Sequence, residues 1–246
     1  MPLSPADDRK MISNEVDFSP YRTRFLRDGR VQVPGFLQDT AAERLHQCLR
    51  HEVPWTLAER IDGHPKITPA SDYAAMPEEQ RQQIFQQAYV RARDGFQFVY
   101  DSYMLVRAML ERRDPELVVH VVLEFLNSPE ALEFARWMTG VPDIIAANGQ
   151  ATRYQAGQFL TVHDDKYDDE NRAAAFVINL SKNWNPDWGG LLQFHDASGG
   201  IGETLMPRWN SLSMFKVPQS HSVSLVAPWA GEPRLAITGW FMKAKS

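Results

Sequence analysis

The sequence predicts a mainly β domain with helices packed against its outside. Between residues 142 and 241, short apolar runs alternate with turns rich in Asn, Gly, Asp and Pro, which is typical of short antiparallel strands in a sandwich or barrel. Before residue 142, apolar residues recur instead at helical spacing. No repeat or long linker divides the chain, so we expect a flexible leader in 1–30 and one domain in 31–246. Within it, 31–141 should be mostly helical support and 142–246 the β core.

The helical part carries recognisable starts and stops. Pro77 is expected to be the first residue of a helix, because proline has no N–H to leave unpaired there. Helical spacing returns in residues 102–113. Ser128, followed by Pro129, should cap another helix, which Gly140 ends. These signals place a layer of helices before the β core.

Composition and charge exclude several classes of function. The 246 residues are 43% hydrophobic and 23% charged, so a sizeable core can be buried. A net charge of -5 and an isoelectric point of about 5.8 argue against a nucleic-acid partner. No apolar run reaches the ~20 residues of a membrane span, and residues 1–14 lack the apolar stretch of a secretory signal. The single cysteine, Cys48, excludes an internal disulfide, so we expect a cytoplasmic protein.

A possible pair of metal ligands lies in the strand-like segment that ends at residue 165. In a strand, residues two apart point to the same face, so His163 and Asp165 should project together. A histidine and a carboxylate side by side suit a divalent metal of intermediate hardness. Alone, such a pair also occurs in surface turns, and Asp164 is a competing carboxylate that should point the other way.

His221 is the candidate third ligand. It alternates with Val223, so it should share the core side of its strand. A histidine there needs a partner, because an unpaired buried polar group costs roughly 1–3 kcal/mol; a metal or a backbone carbonyl would serve. Two histidines and one carboxylate leave positions open for O2 and a chelating cosubstrate, as in the facial triad of non-haem Fe(II) oxygenases.

A basic residue is expected inside the same barrel. Arg234, Ala236 and Thr238 share one face of a strand, and an isolated charge on that face must be neutralised. A dicarboxylate could do this by pairing with both guanidinium N–H groups. Thr238 could add a hydroxyl to the same carboxylate, and Tyr154 a phenol.

These segments together resemble a known family. The pattern His-x-Asp, a distal His, and an Arg on a strand of the type R-x-x-I-T-G-W-F is similar to the 2-oxoglutarate/Fe(II) dioxygenases, and most to their prolyl 4-hydroxylase group. The lead-in from Tyr154 to Leu160 resembles the branch that hydroxylates a proline of a ribosomal protein. Residues 188–192 resemble the family's W-x-G-G-x-L turn and strand, although Leu-Leu-Gln-Phe follows where many members have an acidic residue. The resemblance is good from residue 142 onward and weak in 31–49.

The resemblance implies a double-stranded β-helix core, that is, a cupin-like jelly roll. It implies Fe(II) on His163, Asp165 and His221, and 2-oxoglutarate with its far carboxylate on Arg234, assisted by Tyr154 and Thr238. O2 would be consumed and succinate and CO2 released, with ascorbate keeping the iron reduced. No catalytic residue is expected beyond the metal site, and the expected substrate is a prolyl residue of a protein or peptide.

Alternatives remain open at this point. The oxygenase could act on a free amino acid or another small molecule, or the chain could be a non-enzymatic jelly-roll binding protein with both histidines as core residues. His195 and Asp196 are a rival metal pair, but adjacent residues in a strand face apart. The acidic run 164–170 either attracts a basic substrate or is a solvated loop. The sequence leaves the oligomeric state unknown.

Overall fold

The computed structural model describes residues 11–166 and 171–244. The helices in this part of the chain are α1 (Ser19–Asp28), α2 (Asp39–His51), α3 (Ala70–Ala75), α4 (Glu78–Arg91), α5 (Leu105–Leu110), α6 (Val119–Leu126) and α7 (Pro129–Thr139). The strands are β1 (Arg30–Pro34), β2 (Thr56–Ile61), β3 (His64–Pro69), β4 (Phe98–Met104), β5 (Ile144–Tyr154), β6 (Phe159–His163), β7 (Arg172–Asn179), β8 (Leu192–His195), β9 (Ile201–Leu205), β10 (Ser211–Lys216), β11 (His221–Val223) and β12 (Arg234–Lys243).

The strands pair antiparallel in one rolled sheet. Their order along the main path is β1-β10-β7-β12-β5-β4-β6-β11-β8-β9, and the β2–β3 hairpin joins through β4. The result is a nearly closed, jelly-roll-like barrel. The prediction of a jelly-roll core with flanking helices is therefore confirmed.

Strand β12 pairs with β5 on one side and with β7 on the other, in the half of the sheet that faces the helices. Its alternate residues Leu235, Ile237 and Phe241 are buried in the main hydrophobic core, which lies between this half and the helices. Ala236, from the other face, belongs to a smaller cluster inside the barrel. The alternation expected for this strand is thus observed, and it decides which side chains reach the interior of the barrel.

The expected flexible leader is wrong from residue 11 onward, and residues 1–10 lie outside the described part. Helix α1 begins with Pro20 in its first turn and ends at Gly29, which has a left-handed φ of 73°. Phe25 of this helix is fully buried, and Met11 is also in the core. The polar composition of the segment suggested mobility, but the buried side chain of Phe25 packs helix α1 against the core.

The other predicted helix boundaries are partly correct. Ser128 caps α7, since its hydroxyl accepts a hydrogen bond from the Ala131 N–H at 3.2 Å, and Gly140 ends the helix with a φ of 70°. Pro77 is wrong as the first helical residue: it is the N-cap, with extended backbone, and α4 begins one residue later. Residues 102–104 belong to strand β4, where Ser102 pairs with neighbours on both sides, so the predicted helix over 102–113 begins only at residue 105.

The structure also bears on the single cysteine and on the expected absence of a membrane span. Cys48 lies buried in α2, and burial raises the pKa of its thiol to about 11, which suits a core residue better than a reactive one. Among the described residues, no helix combines the length and the apolarity needed to cross a membrane.

Candidate metal and cosubstrate site

The two histidines meet across a strand pair. His163 is the last residue of β6 and His221 the first of β11, and they are direct partners in the antiparallel ladder. Their ring centroids are 4.0 Å apart. Potential ligand atoms of His163, His221 and Asp165 all lie within 4.8 Å of one another, and this is the sole such cluster of three or more potential metal ligands in residues 11–166 and 171–244.

Backbone carbonyls orient both imidazole rings. Nδ1 of His163 lies 2.9 Å from the carbonyl oxygen of Thr161, and Nδ1 of His221 lies 2.7 Å from that of Gln219. With Nδ1 as the donor in each bond, Nε2 carries the free lone pair. Both Nε2 atoms face the carboxylate of Asp165, at 3.4 Å and 3.5 Å. A carbonyl behind the ring is the usual way in which proteins aim a metal-binding imidazole.

Asp165 reaches this position by a route other than the expected strand alternation. Strand β6 ends at His163, and Asp165 lies in the following loop with a left-handed φ of 61°. Aspartate tolerates this conformation better than most residues. Asp164 is exposed, and its carboxylate accepts a hydrogen bond from the N–H of Lys166 at 3.0 Å. The choice of Asp165 over Asp164 therefore agrees with the geometry, although the reason given for it does not.

The charges in the cluster depend on burial. Burial acts to raise the pKa of Asp165, but the facing imidazoles of His163 and His221 outweigh it, so this pKa lies below its usual range. Burial, together with the neighbouring His163, lowers the pKa of His221 to about 4. At neutral pH the pair is a carboxylate beside a neutral imidazole, the protonation states that bind a metal. Arg172 donates to the carbonyl oxygen of Asp165 at 3.2 Å, and its guanidinium lies 3.6 Å from the centre of the Trp240 ring.

A cavity of about 450 Å³ connects this cluster to Arg234, a volume in the ~300–1,000 Å³ range of small-molecule sites. Arg234 is only 3% exposed, and its Nε atom has no hydrogen-bond partner among the described residues. In the same part of the chain, no carboxylate lies within ion-pair distance of its guanidinium. Burial accordingly lowers the pKa of Arg234. A buried, unpaired cation in a cavity calls for an anion from outside the protein.

The two expected helpers lie beside Arg234. Tyr154 is its direct partner across the β5–β12 ladder, and the guanidinium carbon is 5.2 Å from the centre of the tyrosine ring. Burial raises the pKa of Tyr154, and the neighbouring Tyr100 adds to the effect, so its phenol is a hydrogen-bond donor at neutral pH. Thr238 lines the same cavity, because it is two residues after Ala236 and shares its face of the strand. The structure thus brings together all six residues singled out from the sequence.

A glycine pair allows the neighbouring chain to pass close to Arg234. A Cβ atom at Gly189 would lie 2.1 Å from the carbonyl oxygen of Leu225, and its φ is 66°. A Cβ atom at Gly190 would lie 3.1 Å from Val226 and 3.4 Å from Cδ of Arg234. The Gly-Gly turn singled out in the sequence therefore serves close packing next to the arginine.

Some cavity residues were not predicted. Tyr100 of β4 and Gln150 of β5 line the cavity, and the Gln150 amide lies 3.4 Å from the Tyr100 hydroxyl. Strand alternation from Tyr154 back along β5 would have indicated Gln150. From the sequence, residues 96–100 could form a strand or the start of a helix, so the direction of the Tyr100 side chain is undetermined by sequence alone.

The rival features are separated from the site. Nε2 of His195 lies 2.8 Å from the Ser222 hydroxyl, while Asp196 closes its own turn through the N–H groups of Ser198 and Gly200. This pair therefore offers no joint metal site. Most of the acidic run 164–170 lies outside the described residues.

Comparison with known proteins agrees with this geometry. Residues 149–242 match the family described as the 2OG-Fe(II) oxygenase superfamily, in which 2OG is 2-oxoglutarate. Over 119 residues, or 44% of this chain, the sequence is 33% identical to the prolyl 3-hydroxylase OGFOD1 of Xenopus laevis and 34% identical to that of Mus musculus. The chain spans only 23% and 21% of the length of these two relatives.

Solved structures share the fold. An oxidoreductase of the 2OG-Fe(II) oxygenase family from Burkholderia pseudomallei superposes with a TM-score of 0.59 at 14% identity, covering 95% of this chain and 94% of its own. A prolyl hydroxylase from Trichoplax adhaerens, solved with a hypoxia inducible factor peptide, has a TM-score of 0.58 at 13% identity, covering 91% and 87%. At such identities the likeness speaks for the fold alone. By sequence, residues 149–242 are therefore similar to the 2OG-Fe(II) oxygenase superfamily and, over the aligned part, to the OGFOD1 prolyl 3-hydroxylases, and the fold is that of solved 2OG-Fe(II) oxygenases.

Proposed function

We propose that this chain is an Fe(II)- and 2-oxoglutarate-dependent hydroxylase that acts on a prolyl residue of a protein or peptide. The observation that carries the proposal is that one cavity holds three clustered potential metal ligands and the buried guanidinium of Arg234, which has no ion-pair partner among the described residues. A metal alone would explain the first feature, and an anion alone the second. A metal-chelating dicarboxylate explains both.

The donor set fits the proposed metal and cosubstrate. Two imidazole nitrogens and one carboxylate are the ligand types of a non-haem Fe(II) facial triad, which leaves positions open for a chelating cosubstrate and O2. When bound, iron and 2-oxoglutarate supply oxidative chemistry: R–H, 2-oxoglutarate and O2 are converted to R–OH, succinate and CO2. One oxygen atom enters the product and the other enters succinate, so atoms and electrons balance without another reductant.

The residues of the chain would do the binding and the orienting. His163, Asp165 and His221 would hold the metal, with the two carbonyls behind the imidazoles fixing their tautomer. Arg234 would hold the far carboxylate, assisted by the hydroxyl groups of Tyr154 and Thr238. The cosubstrate would then be fixed at both ends, which reduces the entropy lost in the reaction.

The prolyl substrate rests on the relatives. OGFOD1 of Xenopus laevis and of Mus musculus are prolyl 3-hydroxylases, and the Trichoplax adhaerens structure contains a protein-derived peptide. We extend a prolyl substrate in a protein or peptide to this chain and leave the hydroxylated ring carbon to experiment. Ascorbate as the reductant that keeps iron in the Fe(II) state, and a cytoplasmic location, are further parts of this proposal.

Turnover of 2-oxoglutarate tests the proposal directly. We expect the purified chain, with Fe(II) and ascorbate, to form succinate from 2-oxoglutarate, and proline-containing peptides to gain 16 Da, detected by mass spectrometry. His221→Ala should abolish both signals. Succinate formation stimulated only by small molecules would replace the peptide substrate with a small-molecule one, and no turnover under any condition would favour a binding protein.

A further inference from the structure

A row of aromatic rings forms one wall of the cavity. Phe96, Phe98 and Tyr100 alternate along the chain with the buried residues Gln97 and Val99, so they share one face. The ring centroids of Phe96 and Phe98 are 5.8 Å apart, and those of Phe98 and Tyr100 are 5.5 Å apart. We call these three residues the aromatic row.

The aromatic row runs from the surface to the cosubstrate end of the cavity. Phe96 is 37% exposed, and its ring is 5.4 Å from that of His163. At the other end, Tyr100 stacks on Tyr154 at 5.1 Å with an interplanar angle of 20°, and Tyr154 is 4% exposed. Because Tyr154 and Arg234 are assigned to 2-oxoglutarate, Phe98 and Phe96 form the part of the wall that is left for another molecule beside the metal cluster.

The row offers apolar ring faces and no ionic partner. Aromatic faces carry partial negative charge and attract weakly polarised C–H groups, such as those of a pyrrolidine ring next to an amide nitrogen. The side chain of Phe98 is half-buried and has no polar atom, so it offers apolar contact area to an uncharged ring packed against it.

Existing cations also disfavour a basic side chain at this place. The guanidinium carbon of Arg60 lies 5.3 Å from the centre of the Phe96 ring, and Arg60 also donates to the Phe96 carbonyl oxygen at 2.9 Å. A cation therefore already occupies one face of Phe96. Lys166 lines the described cavity wall, where Asp164 is the one acidic residue besides the proposed ligand Asp165.

From these contacts we propose that Phe98, with Phe96 at the rim, is the specificity-determining wall that selects an uncharged prolyl ring over a lysyl side chain. This inference rests on the proposed function and deepens it. Phe98 contacts the substrate rather than the cosubstrate, so its removal should affect the two differently.

The test uses three peptide libraries that have randomised flanks and a central proline, lysine or asparagine. Hydroxylated products are quantified by mass spectrometry for the full chain and its variants, and uncoupled 2-oxoglutarate turnover is followed separately. We expect the wild type to modify the proline library preferentially. Phe98→Ala should lower that product by ~10-fold or more, while Phe98→Tyr, which keeps the ring face, should stay within about threefold. The KM for 2-oxoglutarate in uncoupled turnover should change by less than about twofold in both.

Phe85→Ala is the matched control, since Phe85, which belongs to helix α4, is also half-buried but lies outside the cavity wall. Equal product from the lysine and proline libraries, or full activity of Phe98→Ala on proline, would overturn the inference. So would a loss in Phe85→Ala as large as that in Phe98→Ala. A wild type that consumes 2-oxoglutarate but modifies no library would also refute it and leave the oxygenase assignment standing, whereas a wild type that consumes none would refute the proposed function itself.

Discussion

The two faces of strand β12 differ in what surrounds their buried side chains. On the helix side, Leu235 and Ile237 are almost completely buried among apolar neighbours. On the barrel side, Arg234 is equally buried but has an unpaired Nε within the described structure, and Thr238 lines a cavity. Burial of an aliphatic side chain stabilises the fold by about 1.5–3 kcal/mol, whereas burial of an unpaired charge opposes it. Neighbouring residues of one strand thus separate stability from chemistry.

The largest expected effect concerns the carboxylate of the metal cluster. Asp165→Asn should lower 2-oxoglutarate turnover by at least ~100-fold, since even residues behind a ligand contribute ~10–100-fold to metal affinity or activity. Asp164→Asn is the matched control one residue away, and it should stay within about twofold. Succinate formation under saturating Fe(II) measures both. Equal losses in the two variants would show that the loop as a whole, and not the Asp165 ligand, is required.

A change on the helix side should affect stability alone. Ile237→Ala leaves a void in the main core and should lower the free energy of unfolding by about 2–5 kcal/mol. The KM for 2-oxoglutarate should stay within about twofold, because the side chain points away from the cavity. Urea unfolding and steady-state kinetics on the same preparation measure the two quantities. A large change in KM without a change in stability would contradict the division between the faces.

The reverse result is expected on the barrel side. Arg234→Met should raise the KM for 2-oxoglutarate by at least ~10-fold, because a charge-assisted hydrogen bond contributes about 1.5–3 kcal/mol. In the absence of cosubstrate, the variant should be as stable as the wild type or more stable, by up to ~1 kcal/mol, since a buried charge without a partner is removed. Thermal unfolding with and without 2-oxoglutarate checks this. A marked loss of stability in the cosubstrate-free variant would mean that Arg234 has a structural partner.

The effect least connected with activity is a pH dependence of the metal-free protein. The folded pKa of His221, about 4, lies below its ordinary value of 6.5, so between these pH values the unfolded chain binds more protons than the folded one. Stability should therefore fall as the pH is lowered from about 6.5 to 4, by roughly 2–3 kcal/mol from this residue. His221→Asn should flatten that part of the curve, as measured by urea unfolding in the presence of a chelator. An unchanged curve would place the lowered pKa elsewhere.

Strand alternation correctly predicted three residues of the cavity wall. His221, Arg234 and Thr238 were assigned to the interior by their apolar neighbours, and each lines the cavity. Asp165 was chosen by the same rule, but it reaches the cluster through a left-handed turn that alternation does not describe.

Features that depend on tertiary contacts were not predicted. Helix α1 has a mainly polar sequence, and it is fixed to the core by Phe25, whose burial no local pattern indicates. The sequence does not indicate the β2–β3 hairpin, because the exposed edge strand β3 lacks a clear apolar pattern. The aromatic row faces the cavity because β4 pairs with β5 on one side and β6 on the other, and this pairing cannot be derived from local sequence.

An anaerobic titration with Fe(II) and 2-oxoglutarate tests the central claim most directly, with the visible charge-transfer band of the iron chelate as the signal. The band should appear in the wild type and in Asp164→Asn, be absent in Asp165→Asn, and require at least ~10-fold more 2-oxoglutarate in Arg234→Met. A wild type that forms no band and retains no iron would contradict the assignment, and a band that persists in Asp165→Asn would contradict the ligand set.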